Sequence, residues 1–286
     1  MLKQRIVLLA ASFALTSALP MQAQWLGYPT PGVPRNPDGT VDLTAEAPRL
    51  DGKPDLSGVW HVETMTLEEA KRRFGESAGE NELIGMEVTT ISPYAINLFI
   101  DTDPEDIPIR PEAVTLMQQR RASGIDPGIS CLPLGIPLNT LVSEYQKIVQ
   151  TPQLILMVLE LDGVRQVYMD GRELEDDPNP SWLGHSIGHW DGDTLVVETN
   201  GFNDRTWLDS AGHPHSESMR LTERYHRRDF GHLDIEITID DPVMYTEPFS
   251  FSVTNLYQPD TDILEYYCAE NEKDAEHARP STSDTF

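Results

Sequence analysis

In "LDIEITID", residues 233 to 240, Leu233, Ile235, Ile237 and Ile239 alternate with Asp234, Glu236, Thr238 and Asp240. A period of two puts the aliphatic side chains on one face of a strand and the polar ones on the other. The same short period recurs from Tyr145 onward. "YQKIVQ", "LILMVLE", "VRQVYM", "HSIGHW", "TLVVET", "SMRLTERYHR", "EPFSFSVTNLY" and "ILEYYCA" are all of strand length. Turn signals divide them, among them Asp162-Gly163, Asp170-Gly171, Asp191-Gly192-Asp193 and Asp229-Phe230-Gly231. With "DLSGVWHVE" at the front, about ten strands in hairpin succession predict a mainly β fold, an antiparallel meander. A meander of that length hides its edges by curling, so a closed, lipocalin-like barrel with room for a small ligand is expected; a two-sheet sandwich is the alternative.

Helical signals are confined to the first half. Thr66 followed by Glu69 reads as a capping box ahead of "LEEAKRRF", and "PEAVTLMQQRR", Pro111 to Arg121, reads as a second helix stopped by Ser123-Gly124. Residues 25–54 are crowded with Pro, Gly and Asp and show no period, the texture of an extended arm. The expected organisation is an arm over 24–54, one β-barrel domain over 55–270 with a helical insert at about 64–124, and a flexible tail over 271–286.

The first residues change the picture of where this chain works. Lys3 and Arg5 precede an apolar run from Ile6 to Leu19 and then small residues, the layout of a cleavable secretory signal over 1–23. The run is too short to span a bilayer comfortably, and no later stretch reaches spanning length. A periplasmic or secreted mature chain is expected. The formal charge is −26, and loss of Lys3 and Arg5 takes it to −28. Such acidity argues against nucleic acid or an anionic membrane as a partner, and leaves a small-molecule ligand or substrate as the expected one. The two cysteines, Cys131 and Cys268, are expected to form a disulfide in an exported chain.

Residues 177–242, "DPNPSWLGHSIGHWDGDTLVVETNGFNDRTWLDSAGHPHSESMRLTERYHRRDFGHLDIEITIDDP", resemble the signature of a large uncharacterised family of exported bacterial proteins. "PDLSGVW" (54–60), "CLPLGIP" (131–137) and "IVQTP" (148–152) are similar to that family's earlier landmarks. The resemblance covers most of the mature chain. It implies a lipocalin-like or similar β-barrel, and it carries no reaction.

Candidate chemistry concentrates in "DSAGHPHSE", residues 209–217. On an extended strand, residues two apart share a face at about 6.6–6.8 Å of rise, so His213, His215 and Glu217 are expected to converge, with Asp209 close by. Imidazoles beside carboxylates suit acid–base work: His213 or His215 would move a proton while Glu217 or Asp209 orients the ring. The same residues read alternatively as ligands for zinc or another divalent metal, or as a solvated strand entrance in which Pro214 marks an edge or bulge. Around them, Asn203, Asp204, Arg205 and Trp207 lie in a loop between two strands. Arg205 could hold an anionic group and Trp207 could offer a stacking wall, although Asp204 and Asp209 also suit plain turns. His185 and His189 share a strand face about 13 Å apart, and one of them could join the pocket if the sheet curls inward.

No nucleophile elbow, phosphate loop, dinucleotide fingerprint or His-Glu-x-x-His is present, which disfavours bound-nicotinamide and kinase-type chemistry. The leading expectation is a cofactor-free barrel that binds a small aromatic or glycosidic molecule and, as an enzyme, acts as an acid–base lyase, isomerase or hydrolase. A non-catalytic carrier and a His/Glu metalloprotein are the alternatives.

Overall fold

The computed structural model describes residues 28–75, 88–123, 128 and 131–268. The expected signal segment, the tail over 271–286 and the middle of the helical insert lie outside the described residues. A small hairpin, β1 (Arg49–Leu50) with β2 (Lys53–Pro54), belongs to the N-terminal arm. Nine further strands close into a barrel: β3 (Gly58–Val62), β4 (Gln146–Gln150), β5 (Leu154–Leu159), β6 (Gly163–Tyr168), β7 (His185–Asp191), β8 (Thr194–Asn200), β9 (Arg220–Arg227), β10 (His232–Asp240) and β11 (Phe249–Tyr257), with β11 returning to β3. Among the described residues three short α-helices accompany it: α1 (Leu67–Phe74), α2 (Pro93–Ile96) and α3 (Pro111–Ser123).

The barrel is the expected one, with three differences. One pairing is parallel, since Val167 of β6 lies against Ser186 and Tyr168 against Ile187 of β7. Parallel neighbours cannot be joined by a tight turn, so residues 169–184 run back along the wall before β7 begins. The run "ILEYYCA" is not a tenth strand: through Cys268 it is irregular, because β3 and β11 already pair with each other along that seam. It is held instead by a bond from the Leu264 N–H to Glu160 Oε1 at 2.5 Å and by the Cys131–Cys268 disulfide, whose Cα atoms are 5.5 Å apart. The third difference is α2, which no period announced. Thr66 does cap α1, accepting from the Glu69 N–H at 3.1 Å, but the Glu69 carboxylate turns to Arg73 rather than closing the box.

Register and burial define an inner face. The period-two row Leu233, Ile235, Ile237, Ile239 of β10 is buried throughout, opposite Leu221, Glu223, Tyr225 and Arg227 of β9. Continuing round, Leu195, Val197, Thr199, Ser186, Val167, Arg165, Met157, Ile155, Ile148 and Trp60 occupy the same face. Period two is thus kept even where the inward residue is charged. Arg165 on β6 reaches across the lumen to pair with Glu223 on β9, with relative exposures of 2% and 1%. Its remaining N–H groups donate to Ser186 Oγ at 3.0 Å and Thr199 Oγ1 at 2.8 Å, while the Tyr225 hydroxyl donates to the other Glu223 oxygen at 2.8 Å. Burial among these groups pushes the Tyr225 phenol well up. Two charges taken out of water hold only when their lone pairs and protons are satisfied in this way.

The chain also closes the barrel's ends. At the end where β9 stops and β10 starts, the arm lies across the opening: the Phe230 N–H bonds Ala45 O at 2.8 Å, the Gly231 N–H bonds Leu43 O at 2.7 Å, and Leu56 is fully buried. Arg227 points inward beneath the arm, donating to Asp55 O and stacked among Trp60, Phe230 and Tyr257. The opposite end receives the insert between β3 and β4, together with the β8–β9 and β10–β11 connections.

Replacing Arg165 by Met leaves Glu223 buried and uncompensated, a loss of about 3–5 kcal/mol by urea denaturation. The double variant Arg165→Met with Glu223→Leu is expected to lie closer to the wild type than either single variant.

Candidate functional site

The β8–β9 connection, residues 201–219, folds back over the insert end of the barrel. Here the expected residues are found, in a different arrangement from an extended strand: His213 to Glu217 run irregularly ahead of β9. Asp209, His213 and His215 are buried, at 0%, 5% and 1% exposure, whereas Glu217 faces solvent. The period-two convergence of His213, His215 and Glu217 therefore does not occur. The segment is a turn pinned by side chains rather than a strand pinned by a sheet ladder.

Asp209 is the pin. Its Oδ2 accepts from the Leu98 N–H at 2.7 Å and lies 2.5 Å from His213 Nδ1, and its Oδ1 accepts from the His213 N–H at 3.1 Å. Gly212, at φ +87° where a side chain would be strained, turns the chain so that residue 213 comes back onto residue 209. The Ser210 N–H bonds Ala95 O, so the turn is also tied to α2. A carboxylate at Nδ1 favours the tautomer with its proton on that nitrogen. His213 Nε2 has no hydrogen-bond partner among the described residues, and the side chain keeps 6% of its surface exposed. Phe99 meets the imidazole edge-on with centroids 5.0 Å apart, and Phe249 and Tyr245 continue that aromatic wall.

His215 is engaged differently. Its Nε2 lies 2.6 Å from Thr206 Oγ1 and its Nδ1 3.3 Å from Ser216 O. Burial pushes its pKa down to about 4, so the ring is neutral near pH 7. Beside it, Asp241 takes the Ser216 N–H at 2.6 Å and the Ser216 hydroxyl at 2.8 Å, and the Tyr245 hydroxyl donates to Pro214 O at 2.9 Å. Burial raises the Tyr245 phenol. Asp241 and Tyr245, from the β10–β11 connection, are members of this knot that sequence spacing could not bring to residue 213.

The other expected residues lie apart from the His213–Asp209 pair. Arg205 is exposed and stacks over Trp182, with its guanidinium 5.5 Å from the ring centre. Trp207 is buried under Arg120 of α3, which also donates to the carbonyls of Thr206 and Asp204, so its faces serve packing. The Asn203 side chain accepts from the Arg205 N–H at 3.0 Å, an Asx turn, and Asp204 is exposed. His185 and His189 are on the outer face of β7, both exposed, with His185 Nε2 2.8 Å from Asn179 O. As potential metal donors, His213, His215 and Glu217 diverge, and no group of three or more His, Cys, Asp or Glu side chains placed to hold a metal occurs among the described residues.

No helix among the described residues is long and apolar enough to cross a membrane. The chain matches no family model, no curated protein and no solved structure.

The His215 shift has a pH signature. Its folded pKa of about 4 lies below the ordinary 6.5, so between those values the unfolded chain takes up a proton that the folded chain refuses. Above pH 6.5 the residue costs nothing; as pH falls toward 4 its contribution declines by about 3 kcal/mol. Urea midpoints measured from pH 7 to pH 4 should fall less steeply in His215→Gln than in the wild type.

Proposed function

We propose that the protein is an exported β-barrel that binds a small organic molecule and performs acid–base chemistry on it, with His213 as the proton-transfer residue. The observation that carries this reading is the buried Asp209–His213 couple, in which the carboxylate fixes Nδ1 and Nε2 is left unbonded beside an aromatic wall. A base needs an unengaged ring nitrogen on a ring that is held, and the Asp209 contact at Nδ1 supports that role for His213. His215, with both nitrogens engaged and its pKa pushed down by burial, positions the loop through Thr206 and Ser216. Phe249, half-buried at the edge of the Phe99–Tyr245 cluster, suits an aromatic or otherwise apolar portion of the substrate. The reaction class is proton transfer of the lyase, isomerase or hydrolase kind. The disulfide supports an oxidising, extracytoplasmic setting for this activity.

Untargeted mass spectrometry of small molecules that co-purify with the mature protein identifies the ligand, and its turnover then tests the residue. Loss of a general base lowers the rate by about 10²–10⁴-fold, so His213→Ala and His213→Gln should both fall into that range while their circular dichroism stays that of the wild type. Asp209→Asn should lose rate as well and also destabilise the loop, because three hydrogen bonds end on that carboxylate. Undiminished turnover in both His213 variants would remove the proposal.

A further inference from the structure

The barrel is closed, yet one of its strands is longer than its neighbour. β11 is paired along its whole length with β10, from His232 against Leu256 to Ile239 against Phe249. On its other side it meets β3 only at Asn255, Leu256 and Tyr257, followed by one further bond from the Glu63 N–H to Thr254 O at 2.7 Å. Beyond that bond the chain of residues 64–66 veers away toward α1. In an antiparallel strand alternate residues send both main-chain groups to the same side. Tyr257 bonds toward the β10 side through Gly231 O, and Thr254 bonds toward β3, so Ser252 and Ser250 also address the β3 side. Their main-chain N–H and C=O groups have no partner among the described residues.

This bare edge opens on a groove of about 480 Å³, walled by Ser252, Val253 and Thr254 on one side and by residues 63–66 and 92–94 on the other. Tyr94 stands over it, its ring 4.9 Å from that of Phe251. The groove's charge is of one sign. Glu63 is exposed there, and Glu69 and Asp234 also line it, each already paired with a cation outside, Arg73 and Arg228 respectively. The whole chain carries −26.

We propose that this groove is a peptide-binding site, in which a short extended segment bearing Lys or Arg adds to the free edge of β11 as an extra strand. An unpaired strand edge is a template for main-chain pairing, and alternate side chains of the added strand then select the sequence. Ser250 and Ser252 supply the ladder. Glu63 receives a basic side chain at one end, and Tyr94 offers a ring face for an apolar side chain or a cation near the middle. The groove volume is of the scale of a compact ligand, which suits a segment of a few residues. His213 takes no part in lining this groove.

The test uses the mature full-length chain and a fluorescein-labelled pentapeptide of alternating Lys and Val, followed by fluorescence anisotropy. Binding is expected, weakened at least tenfold by Ser252→Pro, which removes one edge N–H where a proline is tolerated. The same loss is expected for a peptide N-methylated at alternate residues, a control that leaves the protein untouched. Glu63→Lys should weaken binding and flatten its dependence on salt. Absence of binding, or binding indifferent to both Ser252→Pro and N-methylation, overturns the proposal. So does a concentration-dependent dimer in light scattering that Ser252→Pro abolishes while peptide affinity stays the same, because the edge would then serve a second copy of this chain.

Discussion

The barrel is organised around one ion pair that water does not reach. Arg165 and Glu223 lie on strands separated by two others and meet across the lumen, so their contact exists only when β6, β7, β8 and β9 are in the observed register. A one-residue slip of either strand would turn its charge outward and leave the partner buried and alone. The hydrophobic rows fill volume and tolerate exchange among themselves. The charged pair and the Ser186, Thr199 and Tyr225 groups around it admit a single arrangement. It does not follow that the pair adds net stability over an apolar core of equal volume. A register that separated the two charges would leave a buried charge without its partner, which favours the observed one.

The inner face is lined by buried side chains, and the candidate chemistry lies at an end and an edge of the barrel. The arm and Arg227 close one end, and the insert with two long connections closes the other. Long connections carry polar backbone, and where they are buried each group needs a partner. Asp209 and Asp241 meet that need: each carboxylate takes several N–H groups of its own or a neighbouring loop. In the candidate dyad one carboxylate both ties the turn, through the Leu98 and His213 N–H groups, and meets His213 Nδ1.

The candidate site was only partly legible in the sequence. Asp209, His213 and His215 were visible as a dense patch of titratable residues, and all three are buried together. The partition of roles among them was not visible, because the strand spacing that linked His213, His215 and Glu217 applies to a conformation this segment does not adopt. Outside a helix, a carboxylate four residues back reaches a histidine through a turn, and Gly212 was the available hint of one. Glu223 shares a face with Leu221 and Tyr225 in "LTERY", but in "VRQVY" alternation sets Arg165 opposite Val164 and Tyr168, so its burial beside Val167 was not legible. Nor was their mutual contact.

The sequence by itself determined the class of fold, since period two is a local property that each strand carries in its own side chains. It determined the α1 cap through Thr66 and the tight turn at Gly192 for the same reason. Only the tertiary structure decided the parallel joint between β6 and β7, the inward turn of Arg227, the bare edge of β11 and the arrival of Asp241 and Tyr245 beside His215. Those features depend on where the barrel closes and how far neighbouring strands overlap. Closure is a balance over the whole sheet, and no single window of residues contains it.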